Sequence, residues 1–226
     1  MNKFLQKSIA IMFITIIFML DLPTVSAQVY TAKVQKVVDG DTVRLNHPIL
    51  GSRNVRLLSI DTPETNFQGR NQGSHAYAAT NYLSQLLPVG TTIKIELGTE
   101  PKDQFGRLLA HIYKSDLDIN KEMIRKGYAV TYFIYPNLSH FGEYQNVLVQ
   151  AKNQKQGIWN PNSPLEELPF EFRNRISHRA PTKWVVDSHT KEVFAPNKYL
   201  SVPIERRIFF MSEQEARASL DELIDK

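Results

Sequence analysis

The chain has 226 residues, no cysteine and a formal net charge of +4 at pH 7. The lack of cysteine excludes disulfide bridges, thiolate metal sites and a lipid-modified N-terminal cysteine. The small positive charge is compatible with a polyanionic partner, but alone it is a weak signal.

Cationic residues and a short apolar run at the N-terminus predict a secretory signal peptide. Lys3 and Lys7 precede the mostly apolar residues 8–20, and small residues follow at 25–27. The run is shorter than the roughly 20 residues that span a membrane. We therefore predict cleavage of residues 1–27 and a secreted, extracellular product without a stable membrane span. An uncleaved membrane anchor is the alternative.

Five stretches with alternating apolar or β-branched residues predict strands. They are residues 28–36, 42–45, 55–60, 91–97 and 107–113. Pro63 cannot donate a hydrogen bond to a sheet, so the third strand ends by Thr62. Strand parity places Arg56 and Asp61 on opposite faces, so the chain must bend or twist before Asp61.

Helical spacing predicts three helices, at residues 74–87, 119–125 and 139–156. The predicted N-caps are Ser74, a residue near Asp118 and Ser139, and the predicted terminators of the second and third helices are Gly127 and Gly157. Five strands with these helices predict a mainly β, α+β domain over residues 28–160. A small closed barrel with helices packed on it and an open α+β sheet are both compatible with this pattern.

The remaining residues predict a linker and a small appendage. Prolines mark a linker at residues 161–182, within which the charged stretch 173–179 is interpreted as a solvated face, with DNA docking as the alternative. Residues 183–226 predict a β-hairpin and a helix that begins with a capping box at Ser212 and Glu215. This unit has little core of its own, so we expect it to lean on the main domain.

Three carboxylates and one arginine lie near the ends of two predicted strands: Asp41, Arg56, Asp61 and Glu64. Hard cations such as calcium prefer carboxylate and carbonyl oxygens, and an arginine fork suits phosphate. If the two strands are neighbours, these side chains converge on one pocket. The combination indicates phosphoryl chemistry.

Over residues 29–160 the chain resembles the thermonuclease (staphylococcal-nuclease-like) family. The matching blocks, in order, are residues 39–42, 56–64, 103–110 and 157–159. A single block would be weak, but four blocks in order across one domain are specific. The resemblance implies a five-stranded OB-fold barrel with three helices. It also implies a calcium-dependent endonuclease that hydrolyses DNA and RNA with little sequence preference and leaves 3′-phosphate ends.

The resemblance further implies a role for six matched residues. These roles are calcium ligation by Asp41, Asp61 and the backbone carbonyl of Thr62, phosphate binding by Arg56 and Arg107, and general base catalysis by Glu64. The residue types suit the reaction, because arginine forks and a divalent cation stabilise negative charge on the reacting phosphate. We expect replacement of Arg56 or Glu64 by alanine to cut hydrolysis by orders of magnitude and to leave the fold intact.

Three aromatic residues are candidate substrate contacts. Phe105 stands where a tyrosine is common in the family, and Gln104 stands where a lysine is common. Phe133 and Tyr135 take the places of two tyrosines that contact the nucleotide. Stacking on a base survives the change from tyrosine to phenylalanine, but the hydroxyl hydrogen bond does not. We therefore expect weakened substrate binding and an active site that still works.

The C-terminal unit loosely resembles a small zinc-binding module of exported nucleases, without its metal cysteines. His178 and His189 are too isolated to rebuild such a site, so we predict a metal-free packing or substrate-docking appendage. The competing functional class for the main domain is a non-catalytic nucleic-acid-binding module of the same fold. No protein partner is indicated, and a monomer is predicted.

Overall fold

The structure is a computed structural model that describes residues 28–221. The predicted signal peptide lies outside the described residues. In chain order, the strands are β1 (Val29–Asp39), β2 (Thr42–Ile49), β3 (Ser52–Leu57), β4 (Ile60–Asp61), β5 (Thr92–Lys102), β6 (Leu108–Lys114), β7 (Leu117–Asp118), β8 (Val130–Thr131), β9 (Phe133–Ile134), β10 (Trp184–Asp187), β11 (Val193–Phe194) and β12 (Arg207–Phe210). The α-helices are α1 (Gly73–Leu86), α2 (Ile119–Arg125), α3 (Phe141–Asn153), α4 (Pro169–Ile176) and α5 (Glu213–Ala218). Among the described residues, no helix combines the length and the apolar character needed to cross a membrane.

Five strands close into a barrel. β1 pairs antiparallel with β2 and β5, β2 pairs with β3, and β5 pairs with β6. A parallel pairing of β3 with β6, with Leu57 opposite Ala110, completes the closure. Alternating apolar residues such as Val43, Val55 and Ile95 are fully buried inside. The predicted α+β fold with a five-stranded OB-type barrel is therefore confirmed.

The predicted third strand is broken by a sharp bend. β3 ends at Leu57, and β4 pairs instead with β8 across the barrel mouth. The bend is centred on Ser59, which adopts a left-handed conformation with φ of 64°. The change of direction that strand parity demanded between Arg56 and Asp61 is thus confirmed, and it occurs well before Pro63.

Three helices pack on the barrel, close to their predicted positions. Asp118 caps α2 by accepting a 3.0 Å hydrogen bond from the Lys121 amide, as predicted. The predicted caps Ser74 and Ser139 are wrong. α1 follows Gln72, and α3 follows a left-handed His140, in both cases without a side-chain cap.

The C-terminal residues are integrated with the barrel domain. β10 pairs with β11 and β12, and β12 pairs in parallel with β9 of the main domain, with Ile208 opposite Phe133. Residues 161–182, predicted as a linker, include α4, whose Phe170 and Phe172 are buried. Ser212 caps α5 by accepting from the Glu215 amide at 3.1 Å, as predicted. The segment after residue 160 therefore packs against the barrel domain.

Candidate active site

Asp41 is fixed at the mouth of the barrel by Thr62. Its Oδ2 accepts hydrogen bonds from the Thr62 amide at 3.0 Å and from the Thr62 hydroxyl at 2.9 Å. Gly40 permits this approach, because a Cβ at that position would lie 2.6 Å from Thr62 Oγ1 and 2.9 Å from Ala79 Cβ. The turn between β1 and β2 thus places Asp41 directly against the start of the segment that follows β4.

Arg56 joins Asp41 to Asp61. Its Nε lies 3.1 Å from Asp41 Oδ1, and its Nη2 donates to Asp61 Oδ1 at 2.9 Å. Asp61 is completely buried, so its charge requires a partner. Burial alone would lower the pKa of Arg56, but the charges of Asp41 and Asp61 outweigh that effect and raise it. The guanidinium therefore stays charged and holds both carboxylates near one point.

A second arginine, from the C-terminal part of the chain, contacts the same carboxylates. Arg173 of α4 donates to Asp61 Oδ1 at 2.9 Å and to Asp61 Oδ2 at 2.8 Å. Its Nη1 also donates to Glu64 Oε1 at 2.5 Å. The interpretation of residues 173–179 as a solvated face is wrong for Arg173. The sequence signals that could have indicated a helix here are Pro169 at its first position and Glu171 in its first turn.

Two further carboxylates, Glu64 and Asp39, face the same region. Burial raises the pKa of Glu64 above its ordinary value, and the ion pair with Arg173 opposes part of that rise. Burial and the neighbouring charge of Asp41 raise the pKa of Asp39 to about 7. Asp39 was not among the predicted site residues, although it lies in the first matching block. Four acidic side chains thus share one region with two arginines.

A cleft with a volume of about 810 Å³ is lined by Asp39, Asp41, Arg56, Glu64 and Arg173, whereas Asp61 is buried and contacts both arginines. Arg107 lines the same cleft, where its Nε donates to Asp103 Oδ2 at 2.7 Å. The structure therefore places Arg107 in the cleft but pairs it with Asp103, not with the carboxylates around Arg56. Because its side chain is about one third exposed (34%), it is available to an anion in the cleft.

The aromatic candidates divide between the cleft and the core. Phe105 is exposed at the cleft rim, 5.8 Å from the Arg107 guanidinium carbon. Tyr135 lines the cleft with its ring stacked on Phe210 at 5.1 Å. The structure contradicts a substrate role for Phe133, which is 1% exposed and packs on Phe141 in the barrel core.

Strand alternation explains the position of Phe133. Successive side chains of a strand point to opposite faces, so Phe133 points inward while Tyr132 and Ile134 line the cleft. Tyr132 stacks on Phe170 of α4 at 5.4 Å between ring centroids. The C-terminal part of the chain therefore supplies one wall of the cleft.

The donor set fits a hard divalent cation. Asp41 and Asp61 offer carboxylate oxygens, and a single guanidinium contacts both of them. The backbone of Thr62 adjoins them, since its amide bonds to Asp41. These oxygen donors suit a hard divalent cation better than a softer metal that prefers nitrogen or sulfur.

Comparisons with known proteins agree with this fold. A family model described as a staphylococcal nuclease homologue matches residues 54–161. The Endonuclease YhcR of Bacillus subtilis (strain 168) is 39% identical over 198 residues, covering 84% of this chain and 16% of that protein. The Thermonuclease of Staphylococcus intermedius is 32% identical over 130 residues, covering 56% of this chain and 74% of that protein. The Thermonuclease of Staphylococcus hyicus is 27% identical over 135 residues, covering 60% of this chain and 79% of that protein.

These matches differ in how far they extend. The chain spans only 16% of the Bacillus protein, which is therefore much larger. That match covers 84% of this chain and so must include Arg173, whereas the family model ends at residue 161. The barrel, the carboxylate–arginine cluster and the match to the staphylococcal thermonuclease agree, and the chain belongs to the staphylococcal nuclease family.

Proposed function

We propose that the protein is a calcium-dependent nuclease that hydrolyses phosphodiester bonds of DNA and RNA with little sequence preference. The observation that supports this most directly is the contact of Arg56 with both Asp41 and Asp61, with Glu64 joined to Asp61 through Arg173 beside the cleft. Relatives named as an endonuclease and as thermonucleases support the same reaction class.

In this proposal, the cation would be held by Asp41, Asp61 and the carbonyl oxygen of Thr62, and it would supply a Lewis acid for the reacting phosphate. Arg56 and Arg107 donate hydrogen bonds to the phosphate oxygens as negative charge builds on them. Each arginine is already ion-paired with a carboxylate, Arg56 with Asp41 and Arg107 with Asp103. To bind the substrate, each would exchange that carboxylate for the phosphate.

Glu64 accepts the proton of the attacking water. The water oxygen bonds to phosphorus, the bond from phosphorus to the 5′ oxygen breaks, and the leaving oxygen takes a proton from solvent. The products are a 3′-phosphate and a 5′-hydroxyl. The raised pKa of Glu64 suits this role, because a base works best when its pKa is close to the working pH.

Substrate binding is assigned to the aromatic and basic walls of the cleft. Phe105 and Tyr135 offer ring faces, on which any base can stack. Lys183 and Arg179, on the wall after residue 160, face the same space and attract the phosphate backbone. Neither kind of contact distinguishes one base from another, which agrees with a nuclease of low sequence specificity.

Digestion of plasmid DNA with calcium, and separately with a chelator, tests the proposal. We expect complete digestion with calcium, no digestion with chelator, and 3′-phosphate termini on the fragments. Digestion that the chelator leaves unchanged would contradict calcium dependence. DNA that is retained in a gel-shift assay but never cleaved would favour the non-catalytic binding module.

We also propose that the protein is exported and that residues 1–27 are removed. This follows from the charged and apolar pattern of the N-terminal residues. Expression in a secreting bacterium, followed by mass spectrometry of the culture medium, should give a product that begins at Gln28. A full-length product retained in the membrane fraction would contradict it.

A further inference from the structure

Arg173 reaches the metal carboxylates from outside the barrel domain. It lies 112 positions along the chain from Asp61, and α4 brings it there. The helix is held firmly, since Phe170 is buried against Tyr132 and Phe209, with ring centroids 5.4 and 5.6 Å apart. The Glu171 carboxylate accepts a hydrogen bond from the Leu168 amide at 3.0 Å, which fixes the first turn. The position of Arg173 is therefore set by the packing of α4.

The guanidinium of Arg173 contacts both carboxylate oxygens of Asp61. Arg56 takes only Oδ1 of that carboxylate, whereas Arg173 takes both Oδ1 and Oδ2. The same nitrogen that contacts Asp61 Oδ1 also donates to Glu64. Only a quarter of the Arg173 side chain (25%) is exposed, so solvent screens this ion pair weakly. Asp61 itself is wholly buried, which makes the loss of a positive partner unfavourable.

A cation bound to Asp41 and Asp61 needs the oxygens that Arg173 occupies. The cation and the guanidinium both carry positive charge, so they repel each other when both lie beside the same carboxylate. Divalent cation and guanidinium are therefore alternative partners of one carboxylate. When Arg173 is displaced from Asp61, the same guanidinium also loses its ion pair with Glu64.

We propose that Arg173 is an internal counter-ion of the metal site, which neutralises Asp61 and Glu64 until a divalent cation displaces it. The inference rests on the metal role given above to Asp41 and Asp61. It means that calcium binding and the release of Glu64 for proton transfer are a single event. Arg173 lies in the part of the chain beyond the match to the family model, which ends at residue 161.

Calcium titration of Arg173→Gln by isothermal calorimetry, beside the parent protein, tests the proposal. Removal of the competing charge should tighten calcium binding by about tenfold, equivalent to about 1.4 kcal/mol. In chelator the variant should melt at a lower temperature than the parent, because Asp61 and Glu64 lose a counter-charge. Added calcium should raise its melting temperature more than it raises that of the parent.

Arg175→Gln is the matched control. Arg175 lies on the same helix and pairs with Glu167 at 2.8 Å, but its side chain is 59% exposed. It should bind calcium and melt as the parent does. If Arg173→Gln does not fold, Arg173→Lys replaces it, because lysine keeps the charge but cannot span two carboxylates. The lysine variant should bind calcium with an affinity above that of the parent.

Calcium affinity that is unchanged or weaker in the folded Arg173 variant would overturn the proposal. If the parent still digests DNA only with calcium in that case, the counter-ion role alone is lost. If neither parent nor variant binds calcium, both the counter-ion role and the calcium assignment fail. Binding by the variant at a calcium concentration where the parent shows none would support the proposal most strongly.

Discussion

Arg56 Nη2 lies 2.9 Å from Asp61 Oδ1, although the two residues belong to strands that run in different directions. The left-handed Ser59 turns the chain between them. Asp61 thereby points back toward the guanidinium, and another nitrogen of Arg56 contacts Asp41, which lies in the turn between β1 and β2. One bend in this segment therefore brings Arg56 and Asp61 together.

Replacement of Arg56 by alanine should reduce stability as well as activity. The change removes the guanidinium that Asp41 and Asp61 share and leaves Arg173 as the arginine partner of Asp61, so the free energy of unfolding should fall by about 1.5–3 kcal/mol. This differs from the sequence-based expectation of an intact fold, because pairing of both carboxylates was not visible in the sequence. Urea unfolding in chelator measures the loss. Arg53→Ala, at an exposed position of the same strand, should unfold like the parent.

Gly40→Ala should disturb the metal site without touching a charged group. The added Cβ would overlap Thr62 and Ala79, so Thr62 must shift and its two hydrogen bonds to Asp41 must weaken. We expect stability to fall by about 1–3 kcal/mol and calcium affinity to fall with it. Gly142→Ala, where a Cβ meets nothing within 4 Å, is the control. Equal calcium affinity of the two variants would contradict the proposed packing.

His111→Phe should remove part of the acid sensitivity of the fold. Burial lowers the pKa of His111 to about 3, and the neighbouring His140 contributes to this. The unfolded chain has an ordinary pKa of about 6.5, so it binds the proton first as the pH falls below that value. The parent should therefore lose about 2 kcal/mol more stability than the variant between pH 7 and pH 5.

Urea unfolding at the two pH values checks this difference. His47→Gln, at an exposed position, should keep the pH dependence of the parent. An identical loss of stability in His111→Phe and the parent would contradict a buried neutral histidine. The ring of His111 also lies near the bend, with Nε2 3.4 Å from Ser59 Oγ, so activity of this variant should be recorded beside its stability.

Phe133→Ala should mainly lower stability, whereas Tyr135→Ala should mainly weaken substrate binding. Phe133 is in the core, so its truncation should lower the free energy of unfolding by about 3–5 kcal/mol. Tyr135 lines the cleft, so its truncation should mainly raise the KM for single-stranded DNA, by about tenfold for one lost stacking contact. Steady-state kinetics and thermal melts of both variants separate the two effects. A raised KM in a fully stable Phe133 variant would reverse our assignment.

Local rules predicted the features that depend on neighbouring residues. Asp118 and Gly127 bound α2 as expected, because a capping side chain and a left-handed glycine act within one turn. Ser139 failed as a cap because the neighbouring His140 takes the left-handed conformation that begins α3. Four of the metal and catalytic candidates line the cleft: Asp41, Arg56, Glu64 and Arg107. Three of them lie in turns or loops next to strands, so the strongly patterned barrel strands fix where they emerge.

Long-range contacts explain what the sequence did not indicate. Arg173 has no local feature that separates it from Arg175, yet one is paired with Asp61 and the other is exposed. Only the packing of α4 against the cleft distinguishes them. The inward position of Phe133 likewise depends on the register of β9 beside β12. Burial of this kind is set by tertiary structure, and residue type alone does not encode it.

The single-turnover rate at which Glu64→Gln cleaves a labelled DNA oligonucleotide in saturating calcium tests the account most directly. The glutamine keeps the shape of the side chain but cannot accept the proton of water. We expect a rate about 10²- to 10⁴-fold below that of the parent, with calcium affinity retained. Glu192→Gln, at an exposed position of the C-terminal hairpin, should cleave at the parental rate. Parental cleavage by Glu64→Gln would contradict the assignment of this cleft as the hydrolytic site.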